Sequence, residues 1–253
     1  YFTGSAANHI PGVRYIQGST KNIAELVDFT PDIIYHLGEY SRVEQSFDDI
    51  RKVWDFNATG TFEVLEFVRN HGCKLVYSGS STKFAENKNG YSQSPYAWTK
   101  SKNTELVKAY GEWFNINYAI TYFYNVYGSN EIQEGKYATL IGLFTNLKSK
   151  KKPLTVVKPG NQRRNFTHID DIIDGLVLVG ENGLGDEFGI GSPEDFSIKE
   201  IAEMFDGKIE LLPERKGNRM TADVITAKTQ ALGWKAKKNI KDYIEESRKN
   251  NWK

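Results

Sequence analysis

The chain reads as an α/β protein: a doubly wound parallel sheet with a smaller C-terminal α/β lobe. Three observations predict this. Short apolar runs alternate with segments of helical periodicity through the first half, as crossover units require. Several of those runs are apolar at nearly every position, as strands covered by helices on both faces are. After Gly128 the alternation loosens into shorter pieces. The 253 residues are 39% hydrophobic and 26% charged, with net charge +1. That length allows a sizeable core, and that balance offers no general attraction to nucleic acid or an anionic membrane.

The elements follow in order. "VRYIQGS" (13–19) reads as a strand, "NIAELVDF" as a short helix and "DIIYHLG" (32–38) as another strand. Over 46–71 the apolar residues Ile50, Val53, Trp54, Val64, Leu65 and Val68 recur at three and four, with a gap at 57–61. This is a long helix closed by Gly72 in the C-terminal capping position. "KLVYSGSS" (74–81) is a third strand, followed by a polar loop. Ser94 caps the next helix with Pro95 at its first position, where a missing N–H costs nothing. That helix runs to about Asn115, and "YAITYFYNVYG" (118–128) is a fourth strand. Beyond it, "PLTVV", "EFGIGS" and "KIELLP" read as short strands among helices near 137–148, 169–181, 198–205 and 240–248. The run "KSKKKP" is a solvated helix end stopped by Pro153.

A single cysteine, Cys73, excludes an internal disulfide and reads as a buried structural thiol. It points to a reducing, cytoplasmic compartment. No stretch approaches the roughly 18 apolar residues of a membrane span. His36 and His168 lie in no ligand-spaced cluster, so no metal is expected, and helix capping by Asp170 accounts for the carboxylates beside His168.

Chemistry concentrates in "SPYAWTK". In a chain with 14 Tyr the spacing alone carries little, but its surroundings add to it. Tyr96 and Lys100 lie one turn apart on one helix face. The preceding strand ends in Ser78, Ser80 and Ser81, and the carboxyl ends of parallel strands are where such sheets present functional groups. An ammonium beside a phenol favours the phenolate. The result is a base for a sugar or alcohol hydroxyl, which a serine can hold.

"HLGEYSRVEQS", "NATGT", "VYSGSS", "SPYAWTK" and "YFYNVYG" fall in the order and rough spacing of the extended short-chain dehydrogenase/reductase family. They most resemble its NAD-dependent nucleotide-sugar epimerase/dehydratase branch. "PGNQRRNFTHIDDI" and "LPERKGNRMTADVITAKTQALGW" continue the likeness over nearly the whole chain. The resemblance implies a Rossmann-like NAD-binding domain over 1–128 and a mainly substrate-binding lobe over 129–253, with some segments returning to the first. It implies that Tyr96 is the acid/base, that Lys100 binds the nicotinamide ribose, and that Ser80 holds the reacting hydroxyl. Leu37, Gly38 and Glu39 would line the dinucleotide, with Ser78 and Tyr124 near the nicotinamide. Ser19 stands where the family usually has an Asp that contacts adenine. Asn125, Arg164 and Arg215 match positions that grip the nucleotide-diphosphate sugar, and arginine's planar fork suits phosphate oxygens. A homodimer through the helices near 48–71 and 95–115 is implied as well.

The pattern also departs from the family's. "YFTGSAANHIPG" carries no counterpart of the glycine-rich loop that holds the pyrophosphate. The expectation is that roughly 50–60 residues, about one β-α-β piece, precede Tyr1 in the full protein. Ser81 and Thr82 follow Ser80 where the sugar 4,6-dehydratases place an Asp-Glu pair, which favours an epimerase or reductase over a dehydratase; the resemblance makes a UDP-sugar 4-epimerase the leading expectation. Tyr122, Asn165 and Asn218 replace the usual Arg and Asp at three positions. Three alternatives stay open: a keto-sugar reductase, a 4,6-dehydratase using other acids such as Glu86, and a cofactor-free scaffold or sensor.

Overall fold

Residues 2–81, 94–214 and 224–252 are described in the structure, a computed structural model. A 3-10 turn over Thr20–Asn22 and the single-turn α1 (Ile23–Leu26) lead into β1 (Ile33–His36). The next helix is continuous through α2 (Ile50–Val53), a π-helical stretch (Trp54–Thr59) and α3 (Gly60–His71). Then come β2 (Lys74–Ser78), α4 (Pro95–Phe114) and β3 (Tyr118–Phe123). The second half holds β4 (Val126–Tyr127), α5 (Leu140–Ser149), β5 (Leu154–Val157), β6 (Arg163–Asn165) and β7 (Thr167–His168). It continues with α6 (Ile169–Asn182), β8 (Gly185–Ile190), β9 (Asp195–Ser197), α7 (Ile198–Met204), β10 (Ile209–Leu212), α8 (Ala227–Ala231) and α9 (Ile240–Lys249).

The central sheet is parallel throughout, in the order β1-β2-β3-β8. Its register places Tyr35 beside Val76 and Val76 beside Ala119. Side chains alternate across it, so each face has its own core. Leu75, Tyr77, Ile120 and Tyr122 pack under Val64, Leu65, Val68 and Val107 of α3 and α4. On the other face Val76 and Ile190 meet Ile172 and Leu176 of α6, with Trp234. Helices on both faces of a parallel sheet are what the apolar runs required. A separate core of Phe144, Leu154, Ile201, Phe205 and Ile244 gathers around the parallel β5–β10 pair.

The caps at the two helix ends form as read from sequence. Gly72 closes α3 with φ +69°, and its N–H reaches the Val68 carbonyl. The Ser94 hydroxyl accepts from the Ala97 N–H at 3.1 Å with Pro95 in the first turn. Four details differ. The segment 13–19 forms no strand and leaves Val13, Tyr15 and Ile16 exposed. No strand among the described residues lies beside it to take its N–H and C=O groups. The apolar run 118–128 breaks at Asn125, whose φ is +35°, and β4 leaves the main sheet to pair with β7. "EFGIGS" belongs to the central sheet as β8, beside β3. The N-cap of α6 is His168, whose Nδ1 accepts from the Asp170 N–H at 3.1 Å, so Asp170 is capped rather than capping. Cys73 is buried.

Candidate active site

Ser94 caps α4, whose first two turns bring Tyr96 to Ser80 and Lys100 to Glu39 and Ser78, at the carboxyl ends of β1 and β2. Tyr96 Oη donates to Ser80 Oγ at 3.3 Å. Lys100 is 4% exposed. Its ammonium pairs with the Glu39 carboxylate and donates to the Ser78 carbonyl, and it sits 4.7 Å from the Tyr77 ring centre. The expected ammonium is therefore beside the phenol's helix turn, but its hydrogen bonds run to Glu39 and Ser78 and none to Tyr96.

Glu39 is the hub of this layer. It also accepts from Thr61 Oγ1 at 3.0 Å, Asn103 Nδ2 at 2.8 Å and Tyr77 Oη at 3.1 Å. Burial pushes the Tyr77 phenol up from its ordinary value, with the Glu39 charge adding to it, so Tyr77 keeps the proton it donates to Glu39. His36 Nε2 lies 2.9 Å from Thr61 Oγ1, and burial lowers its pKa and keeps the ring neutral. Asn103 ties the hub to the π-helical stretch through the Asn57 carbonyl at 2.8 Å. The π-helical winding turns the Asn57 side chain inward. There it accepts from the Tyr40 N–H at 2.7 Å and donates to the Tyr40 carbonyl and to Thr99 Oγ1. A π-turn beside a functional site is a common use of that geometry.

A cavity of about 460 Å³ opens beside the Tyr96–Ser80 pair, bordered also by Arg42, Ser81, Asn125 and Glu131. The other residues singled out from sequence divide. Asn125 reaches the cavity from its left-handed turn, held by a 2.9 Å bond from its Nδ2 to the Asn165 carbonyl. Leu37 is 49% exposed at the end of β1, beside exposed Gly38. Ser19 caps the neighbouring 3-10 turn, whose Thr20 lies over Gly38. Tyr124 is buried in the sheet core with its hydroxyl accepting from the Ile225 N–H at 3.1 Å. Arg164 sits on β6, its Nη1 donating to the Arg163 carbonyl at 2.6 Å, and does not border the cavity. Arg215, Thr82, Glu86 and Asn218 lie outside the described residues. Asn57, Asn103 and Arg42 escaped the sequence reading. The gap in helical periodicity at 57–61 was a signal for the first; nothing local marked the other two.

The profile described as "NAD dependent epimerase/dehydratase family" matches residues 3–191. The chain belongs to that family. It is an enzyme family, and its cofactor is NAD. A Methanocaldococcus jannaschii protein provisionally named a UDP-glucose 4-epimerase is 25% identical over 96% of this chain and 85% of its own length. The dTDP-D-glucose 4,6-dehydratase of Dictyostelium discoideum is 28% identical over 68% of this chain, and the match spans 44% of that protein. The solved UDP-glucose 4-epimerase of Thermus thermophilus, complexed with NAD, superposes with a TM-score of 0.86. At 19% identity, over 98% of this chain and 88% of that one, it shares the fold. Among the described residues no helix is long and apolar enough to cross a membrane.

The chemistry of the site fits one half of the cofactor. An ammonium has three protons, and Lys100 commits two of them, leaving one for a ribose hydroxyl. A Cβ added to Gly38 would meet only Thr20 Cγ2 at 3.5 Å, so the strip formed with Leu37 is open to a flat ligand. No glycine-rich phosphate loop occurs among the described residues, and the fit concerns the nicotinamide-ribose half alone.

Proposed function

We propose that the protein is a nucleotide-sugar epimerase working with NAD, and specifically a UDP-sugar 4-epimerase. The observation that carries this reading is the hydrogen-bonded Tyr96–Ser80 pair at the wall of a cavity of about 460 Å³, room enough for a hexose. When bound, NAD supplies the acceptor and the donor of the hydride. The remaining work belongs to the chain. Tyr96 Oη takes the proton from the sugar 4-hydroxyl and later returns one to the same oxygen after the sugar has presented its other face. Ser80 Oγ holds that oxygen in line throughout. Lys100 would offer its third proton to the nicotinamide ribose, and Ser78 with the Leu37–Gly38 strip would hold that half of the cofactor. Asn125 steadies the sugar, and Arg164 with Arg215 would pair with the diphosphate.

Two further features belong to this reading. Ser81 follows Ser80 where a dehydratase needs a carboxylate, and the Methanocaldococcus relative's name points to epimerisation. The Dictyostelium relative favours a second reading, 4,6-dehydration. We also propose a homodimer through the face on which Trp54 and Trp98 stack at 5.8 Å while 54% and 39% exposed. We also propose a reducing, cytoplasmic compartment, a reading supported by the single, buried cysteine.

Proton NMR of the protein incubated with UDP-glucose, UDP-N-acetylglucosamine and UDP-glucuronic acid tests the reaction. A C4 epimer with no net consumption of NADH is the expected product. A 4-keto-6-deoxy sugar would replace epimerisation with dehydration, and stoichiometric use of NAD(P)H would replace it with reduction. Failure to retain or take up NAD would favour a scaffold.

A further inference from the structure

Two cations stand near the reacting hydroxyls, and the fold treats them differently. Lys100 is answered by Glu39. Among the described residues, Arg42 is held only by neutral oxygens. Its Nε and Nη2 donate to the Tyr137 carbonyl at 3.1 and 2.9 Å, and its Nη1 donates to the Ser41 carbonyl and hydroxyl, each at 3.2 Å. No carboxylate among the described residues pairs with it. A guanidinium carries five N–H groups, so Nη2 keeps one uncommitted. Burial drags its pKa down from arginine's usual value, opposed by the nearby Tyr96 and Tyr40 oxygens, so the charge is partly desolvated and close to the acid/base candidate. Glu131, the carboxylate on the same cavity, is occupied elsewhere: it accepts from Thr139 Oγ1 and from the N–H groups of Gly128 and Gly142.

A desolvated charge without a counter-ion is costly, and a binding site recovers that cost when the ligand brings the opposite charge. Position decides which part of the ligand that is. Arg42 shares its wall with Ser80 and Tyr96, the pair assigned to the sugar hydroxyl. We infer that Arg42 reads a carboxylate on the hexose, so that the substrate is a nucleotide-linked hexuronic acid. A planar carboxylate suits the guanidinium edge. The inference rests on the nucleotide-sugar reading above and deepens it.

Titration calorimetry of the protein in saturating NAD, with UDP, UDP-glucose and UDP-glucuronic acid as ligands, tests it without requiring turnover. UDP-glucuronic acid is expected to bind roughly tenfold to a hundredfold tighter than UDP-glucose, the range for one charge-assisted pair. Arg42→Gln, which can still donate to the Tyr137 carbonyl, is expected to erase that ratio, and Arg42→Lys to keep part of it. Equal affinity of the wild type for the two sugars overturns the inference with no variant needed. A loss in Arg42→Gln that is the same for UDP alone assigns the guanidinium to the diphosphate, and also overturns it. If neither UDP nor either sugar binds, the nucleotide-sugar reading itself falls. Tight UDP-glucose binding without preference removes only the carboxylate.

Discussion

Lys100 and Glu39 depend on each other more than either contributes alone. A buried ion pair adds little net stability, but removing one partner strands the other charge in a dry layer. Glu39→Ala is therefore expected to cost about 3–5 kcal/mol in urea unfolding, with Lys100→Met costing less when Glu39 is already alanine. His36 adds a pH dependence. Its folded pKa is lowered by burial, with Lys100 reinforcing and Glu39 opposing the shift. The unfolded ring takes up its proton near pH 6.5, at about which the folded ring stays neutral. The stability is thus fully present above that pH and is lost as pH falls below it. His168 shifts in the same direction, so His36→Gln is the informative variant. It is expected to flatten, but not abolish, the loss of unfolding free energy between about pH 7.5 and about pH 5.5. Legibility at this scale was uneven. The Tyr96–Lys100 spacing is local and could be read directly. The partner of Lys100 lies 61 residues earlier in the chain, and a charge pair at that separation leaves no periodic trace.

The elements that place the site are α4 and the π-helical stretch before α3. Ser94 satisfies a first-turn N–H of α4, and Ser94→Ala is expected to cost about 1 kcal/mol, with Ser94→Asp restoring most of it. A comparison of urea midpoints reads both. Asn57 spans Tyr40, Thr99 and, through its carbonyl, Asn103. Its π-turn was visible only as a gap in the three-four spacing, because periodicity reports which face is apolar and not how wide the turn is. The capping glycine and proline at helix ends were legible because their backbone preferences act locally. The break of the 118–128 run was not, since it depends on the pairing of β4 with β7, a contact made across about 40 residues. The segment 13–19 shows the converse. Its pattern suits a strand, yet a strand exists only with a neighbour to bond.

For the whole molecule, alternation of apolar runs and helices was enough to establish a parallel sheet covered on both faces. It did not show which later segment returns to add β8 beside β3, because such returns leave no mark on a local pattern; only the family resemblance implied that some segment would. Two bulk measurements follow. If the stacked Trp54 and Trp98 face joins two copies, Trp54→Glu is expected to shift a dimer to monomer in sedimentation. NAD, bound to the folded state alone, is expected to add about 2.7 kcal/mol to unfolding at a hundredfold excess over its Kd. The central claim is that Tyr96 moves the proton of a nucleotide sugar's 4-hydroxyl while Ser80 holds its oxygen. The most direct test is proton NMR of C4 epimer formation by Tyr96→Phe, alongside its NAD content. Turnover lowered by roughly a hundredfold or more with NAD still bound is expected; turnover equal to the wild type's would contradict it.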